Sequence, residues 1–529
     1  MSKARFSGAT RAALFITFIF SGFLGFQSVS VADAATPSTD PAVVGKWSNN
    51  KPWPVKAVHV SLLPDGKVMM WPSNEGDNPY IWNPNNNGIK RLEQAGYNLF
   101  CAGFSLMADG KLFVAGGHIV TPFGLPAASI FDHETNTWTR LADMNAGRWY
   151  PTVTQLSDGN VLVTSGNTET GVVNTIPQVY DIKTGAWRTL IGANIKTSLY
   201  PFMFEIGKGQ VFMAGSRGDT RYLNTQGAGS WSSAIDTNYG SRSSGTSVMY
   251  DEGKILILGG GLTYNGPSTN TAEIIDLNSS TPRWTYTASM REPRKHANAT
   301  LLPTSKVLVT GGSKALNGDS DDETSPVYMA EMWNPKTGTW TKLASNSVYR
   351  GYHSMALLLP DGRVLVAGGE KIANSYEIYS PPYLFKGTRP EIYYAPEQVE
   401  YGDTFPVETS QINSITEIRW IRMGSVTHSF NQGQRINELK FEKVRKDGKT
   451  VKLKVAAPSD RGMTPPGYYM LFVLNDKGVP SVAKIIKVGN ISVPLKTLTP
   501  AEQSKLSPIP MYDEKAKGIE DHAAHGNFE

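Results

Sequence analysis

The chain has 529 residues, 40% of them apolar and 18% charged, with a formal net charge of +5. That length is enough for more than one domain and a large core. So mild a charge, with no basic run interleaved with aromatics, excludes a nucleic-acid or polyanion surface. The 51 Gly, 33 Pro, 12 Trp, 22 Tyr and 20 Phe point to many short strands and tight turns.

In chain order, a basic start (Lys3, Arg5, Arg11) precedes the apolar run Ala12–Phe26 and the small residues Ala32, Ala34 and Ala35. This layout predicts a cleavable secretory signal over 1–35 and a soluble, extracytoplasmic mature protein. The run is short for a span of ~20 residues, and no later segment resembles one. An exported chain normally pairs its cysteines, but this one has only Cys101. Cys101 is either a buried packing residue or kept for chemistry of its own.

A hairpin then recurs seven times: from Val58, Cys101, Tyr150, Tyr200, Ser244, His296 and His353, mostly with a terminal Gly-Gly. Between the copies lie "strand, polar turn, Trp" segments with Trp138, Trp187, Trp231, Trp284 and Trp340. Each period of about 40–60 residues thus supplies four strands, in the range of propeller blades. The prediction is all-β: a seven-bladed kelch-type β-propeller over 43–385, with its closure near 375–385 unassigned. Short alternating strands over 388–489 predict a small immunoglobulin-like β-sandwich. The polar stretch 490–529 reads as a frayed, solvated tail, in which His522 and His525 need no metal.

Cys101, Tyr150, Tyr200, His296 and His353 each stand eight residues before the same point of their hairpin turn. Equal phase in a propeller means equal height on its axis, so these side chains should converge on one opening. Tyr352 and His353 are neighbours, and neighbours in a regular strand point to opposite faces. Both can reach one centre only where the strand has not begun, at the hairpin mouth. Imidazole nitrogens with phenolate oxygens suit Cu(II) better than Zn, Ca or Mg.

Four pieces then carry a resemblance: Asn98-Leu99-Phe100-Cys101, Arg148-Trp149-Tyr150-Pro151-Thr152, Gly351-Tyr352-His353-Ser354, and Gly424-Ser425-Val426-Thr427-His428. With the closing stretch 465–488, they make the chain similar to the copper-radical oxidases, the galactose oxidase and glyoxal oxidase family. The resemblance implies one copper ion held by Tyr150, Tyr352, His353 and His428. It implies a thioether joining Cys101 to Tyr150 as the radical cofactor, with Tyr352 as the axial ligand and the base. The implied reaction is a ping-pong two-electron oxidation shared between metal and radical, with O2 returning as H2O2.

Two departures favour the glyoxal oxidase branch and small aldehyde hydrates. The stretch 165–171 (SGNTETG) lacks the tryptophan that shields the radical in galactose oxidase, so shielding must come from elsewhere. The sugar-binding arginine loop is replaced by 198–206 (SLYPFMFEI). Arg148, Arg217 and His296 are candidate pocket residues, each with a structural role as the alternative. Competing readings are a primary-alcohol or galactose-type oxidase with the same centre, and a non-catalytic kelch binding or matrix protein. The expected partners are a small-molecule substrate and O2, with the protein a monomer.

Overall fold

The computed structural model describes residues 38–509 except 74–77, 94, 317–324, 370–373, 411–413, 448–449 and 497. The expected signal (1–35) and the histidines His522 and His525 lie outside the described residues. The chain divides into Met1–Ser38 and Thr39–Glu529; everything below concerns the second unit.

The recurring hairpin builds one sheet per copy, and among the described residues seven such antiparallel sheets follow one another along the chain. Their first strands are His59–Leu62, Gly103–Leu106, Thr152–Gln155, Met203–Gly207, Thr246–Asp251, Asn298–Leu301 and Ser354–Leu358. These strands are buried on both faces, which is why they read as apolar runs rather than as alternating ones. Thr152–Gln155 touches Gly103–Leu106 and Met203–Gly207, while Asn298–Leu301 touches Thr246–Asp251 and Ser354–Leu358. Ser354–Leu358 in turn touches His59–Leu62. We read these sheets as propeller blades with their first strands innermost.

The glycine pairs admit the next blade's backbone. A β-carbon on Gly116, Gly259 or Gly311 would collide with the carbonyl oxygen of Arg148, Arg294 or Arg350 respectively. All three glycines also have positive φ, at 80°, 62° and 68°. The tryptophans of the outer strands tie blades together through their indole N–H groups. Trp187 donates to Ala142 O at 2.8 Å, Trp231 to Ala193 O at 2.9 Å and Trp340 to Ala288 O at 2.6 Å.

The unassigned closure is supplied by the other end of the chain. Lys46–Trp47 is the outer strand of the last blade's sheet, pairing with its third strand, Ser375–Ser380, and Trp47 donates to Ala344 O at 2.9 Å. One blade is therefore sewn from both ends of the propeller segment.

The C-terminal region has two sheets, one of four strands and one of five, over a core that includes Val407, Trp420, Leu453 and Tyr469. Its longest strand, Gly467–Asn475, alternates between two cores. Tyr469, Leu471 and Val473 face the sandwich, whereas Met470, Phe472 and Leu474 join the propeller core. Within the described part of the expected tail, the segment from 490 to 503 is docked rather than frayed. Val493 is buried with Phe113 and Tyr180, its N–H donates to Asp109 Oδ2 at 3.1 Å, and Thr499 caps the short helix Pro500–Gln503. Ile491 and Val493 are apolar enough to dock where the surrounding polar residues are not.

Candidate active site

Each first strand but one is preceded by a residue in the left-handed region. These are Cys101 (φ 61°), Tyr150 (67°), Tyr200 (43°), Ser244 (57°), His296 (56°) and His353 (61°). The conformation costs an L-residue about 1–2 kcal/mol, so six repeats of it mark a constraint of the architecture. The segments are laced to one another by backbone bonds: Tyr150 N–H donates to Cys101 O at 2.9 Å, Tyr200 to Tyr150 O at 2.8 Å, and His296 to Ser244 O at 2.8 Å.

The adjacency of the candidate ligands Tyr352 and His353 follows from an insertion. Arg148, Arg242 and Arg294 stand two residues before their left-handed residue, but Arg350 stands three before His353. All four guanidinium groups are buried, and each donates to a carbonyl at the end of its blade's second strand. The acceptors are Ser165 at 2.7 Å, Gly259 at 3.1 Å, Gly311 at 3.0 Å and Gly368 at 2.9 Å. With both ends of the segment fixed, the extra residue bulges into the opening. The Tyr352 and His353 rings stack there, centroids 3.8 Å apart.

His428 reaches the same place from the sandwich. Ser425–Thr427 and Phe430–Asn431 form a hairpin that extends the first blade's sheet, Thr427 pairing with both Phe430 and His59. The two-residue tip, His428-Ser429, has φ 47° and 67°, as a type I′ turn requires. Thr427 Oγ1 lies 2.6 Å from His428 Nδ1 and orients the ring.

These elements bring four donor side chains together. Tyr150 Oη is 2.5 Å from Tyr352 Oη. The His353 and His428 rings lie 4.8 Å apart at 88°, and His428 is 4.4 Å from the Tyr150 ring. Cys101 shares one buried cluster with Trp149, Tyr150 and Tyr200. Burial pushes the Tyr150 phenol well above its ordinary value, with Cys101 and Tyr352 adding to the shift. An ionised phenol there needs a cation beside it. Two imidazoles and two phenol oxygens fit a copper ion by donor type, and they can hold one. No three His, Cys, Asp or Glu side chains cluster as ligands among the described residues, so a metal site here must use the phenols.

A cavity opens over this group. Tyr150, Tyr352 and His428 line it, with Phe202, Tyr264 and His296 beside them and Ser198, Ser216, Ser243 and Ser244 among the rest. No Asp, Glu, Lys or Arg lines it among the described residues. His296 lines the cavity with its ring centroid 5.0 Å from that of Tyr352. The two arginines are placed elsewhere. Arg148 is fully buried in its blade, donating also to Ile176 O at 2.8 Å, and Arg217 is half-exposed in an ion pair with Asp219 at 3.0 Å.

Two neighbours had no role assigned from sequence. Trp149 stacks on Tyr150 with centroids 3.7 Å apart and planes at 10°, and its indole donates to His118 Nδ1 at 3.1 Å. Adjacent residues can stack in this way because Tyr150 is left-handed. Aromatic cover on Tyr150, absent from 165–171, thus comes from Trp149, the residue before it, and from Tyr200, stacked at 4.6 Å. His59 is the other. Fully buried, it accepts the Cys101 N–H at Nε2 (3.1 Å), and burial, then His353, lowers its pKa well below the ordinary value. Its position at the start of the first blade's inner strand was the available signal.

A family model for the glyoxal oxidase N-terminus matches residues 79–385, and one for the galactose oxidase-like early set domain matches 389–488. A galactose oxidase of Gibberella zeae is 30% identical over 508 residues, covering 87% of this chain and 73% of that one. The aldehyde oxidase GLOX of Vitis pseudoreticulata is 29% identical over 441 residues, covering 74% of this chain and 82% of that one. A solved structure, described as a novel fungal alcohol oxidase of the AA5 family in complex with copper, superposes with a TM-score of 0.77 at 30% identity. It covers 84% of this chain and all of its own.

Proposed function

The chain belongs to the glyoxal oxidase and galactose oxidase family, and from that premise we propose that it is a copper-radical oxidase of small aldehydes. It takes them as hydrates to carboxylic acids and reduces O2 to H2O2. The observation that carries the site assignment is the 2.5 Å approach of Tyr150 Oη to Tyr352 Oη beside two imidazoles at right angles. In this reading Tyr150, Tyr352, His353 and His428 hold one copper, and Cys101 and Tyr150 form the thioether radical cofactor. Copper and radical, when present, each supply a one-electron acceptor.

The chain's own groups do the rest. Tyr352 lines the cavity, and its Oη accepts the hydroxyl proton of the bound hydrate. Tyr264, Phe202 and Tyr200 give the cavity aromatic walls. With no Lys or Arg lining the cavity among the described residues, a substrate carboxylate would lose its hydration without gaining an arginine or lysine partner, so neutral aldehydes are preferred. The domain extents 43–385 and 388–489, an exported monomer and O2 as co-substrate belong to the same reading. Primary alcohols form a second substrate class, favoured by the similar copper-bound alcohol oxidase.

Oxygen uptake by the copper-loaded protein with glyoxal, methylglyoxal and a panel of primary alcohols tests the proposal. Uptake with the aldehydes, lost to background in Cys101→Ser, is the expected result. After copper and O2 treatment the intact mass should fall by two hydrogens. A full mass with an alkylatable thiol would return the protein to the non-catalytic reading.

A further inference from the structure

Three bonds between blade entries run in one direction, a left-handed residue donating its N–H to the carbonyl of the equivalent residue in the previous blade. Tyr200 donates to Tyr150, Tyr150 to Cys101, and His296 to Ser244. Cys101 begins the Cys101–Tyr150–Tyr200 series. Its own N–H points back toward the first blade, whose inner strand starts at His59 without a left-handed residue. There a side chain takes over, and the Cys101 N–H donates to His59 Nε2 at 3.1 Å.

His59 is itself held tightly. It stacks on Trp71, its partner on the neighbouring strand, with centroids 4.9 Å apart and planes at 8°. On the other side it pairs across the sheet with Thr427, one residue from His428. Phe100, adjacent to Cys101, packs edge-on against its ring at 5.8 Å. A fully buried imidazole in this setting is a fixed acceptor, and the backbone it fixes carries the only cysteine.

We infer that His59 is a positioning residue for the covalent cofactor: by accepting the Cys101 N–H it holds the thiol in the left-handed pose from which it joins Tyr150. The inference rests on the copper-radical reading. In the joining step the Cys101 S–H and a Tyr150 ring C–H bond break and an S–C bond forms. Two protons and two electrons leave, and O2 takes them as H2O2. The hydrogen bond to His59 is made by the Cys101 backbone N–H and not by the reacting thiol. Without its acceptor, Cys101 N–H loses its partner in a buried site, a penalty that other backbone conformations of Cys101 relieve.

The test compares wild type, His59→Phe and His59→Gln, each loaded with copper under anaerobic conditions and then exposed to O2. Cross-linking is followed by intact mass and by thiol alkylation. His59→Phe keeps a flat ring on Trp71 but offers no acceptor, whereas Gln retains an acceptor oxygen. The expected result is equal copper content in all three, cross-linking at least about tenfold slower in His59→Phe, and partial recovery in His59→Gln. Cross-linking of His59→Phe at the wild-type rate overturns the inference. So does a slowing explained by lost copper, or a His59→Phe protein that does not fold, since either would make His59 a general structural residue. If wild type itself fails to cross-link, the copper-radical reading falls instead.

Discussion

Arg350 and His353 are separated by one residue more than the equivalent pairs in three other blades, and that residue, Tyr352, faces Tyr150 across 2.5 Å. A single insertion between two anchored points thus turns a structural segment into a donor of two rings. Glu205 shows the same sensitivity to position away from the pit. It lies fully buried on an inner strand, and burial raises its pKa from 4.5 to about 7 against the opposing pull of Ser157 and Arg435. A folded-state value above the unfolded one means that the native protein binds the extra proton. The corresponding stability is complete below about 4.5 and is lost as pH rises through about 7. Glu205→Gln removes that dependence. Denaturant unfolding at pH 5 and pH 8 should show the variant gaining about 3 kcal/mol on wild type over that interval. A constant difference would place the Glu205 carboxyl in water.

At the scale of the blade, the buried arginines act as fasteners. Arg242, Arg294 and Arg350 each pair with a glutamate on the third strand of their blade, Arg294 with Glu331 at 2.6 Å. Arg148 has Gln178 at the matching place and bonds Asn145 at 3.0 Å instead. A guanidinium that spans two strands sets the spacing of the blade entry, and so the height of the left-handed residue that follows. Removing one partner leaves a buried charge. Arg294→Met should therefore cost about 3–5 kcal/mol, while Arg294→Met with Glu331→Leu should recover much of it. Thermal or denaturant unfolding of the two variants separates these outcomes. Equal losses in both would show that the arginine's bonds to the Gly311 and Met329 carbonyls matter more than the ion pair.

Across the whole molecule, the C-terminal sandwich is part of the propeller's core as well as a domain of its own. Gln432 accepts Val153 N–H at 2.9 Å, and Gln434 accepts Leu301 N–H at 3.0 Å and donates to Ala299 O at 2.7 Å. Arg422 donates to Leu106 O at 2.9 Å and Arg435 to Glu205 O at 3.1 Å. The hairpin carrying His428 is thereby locked among the inner strands of several blades. Shared apolar residues (Met470, Phe472, Leu474) and these buried bonds predict one cooperative unfolding event for both domains. Calorimetry should give a single peak. Two resolved transitions would show that the sandwich holds its fold independently and that His428 is placed by docking alone.

The amino-acid sequence by itself determined the hairpin period, the all-β class, the phase that lines up Cys101, Tyr150, Tyr200, His296 and His353, and the motif around His428. These are legible because glycine pairs, tight turns and apolar runs are local, and a radial repeat converts equal phase into equal height. Tertiary structure alone decided that Trp47 closes the last blade, that Trp149 rather than a residue of 165–171 covers Tyr150, and that Arg148 and Arg217 stand outside the cavity. It also decided that His59 holds Cys101 and that 491–493 docks. Each of these depends on backbone directions at blade junctions or on contacts between segments far apart in the chain, and no spacing within one segment records such contacts.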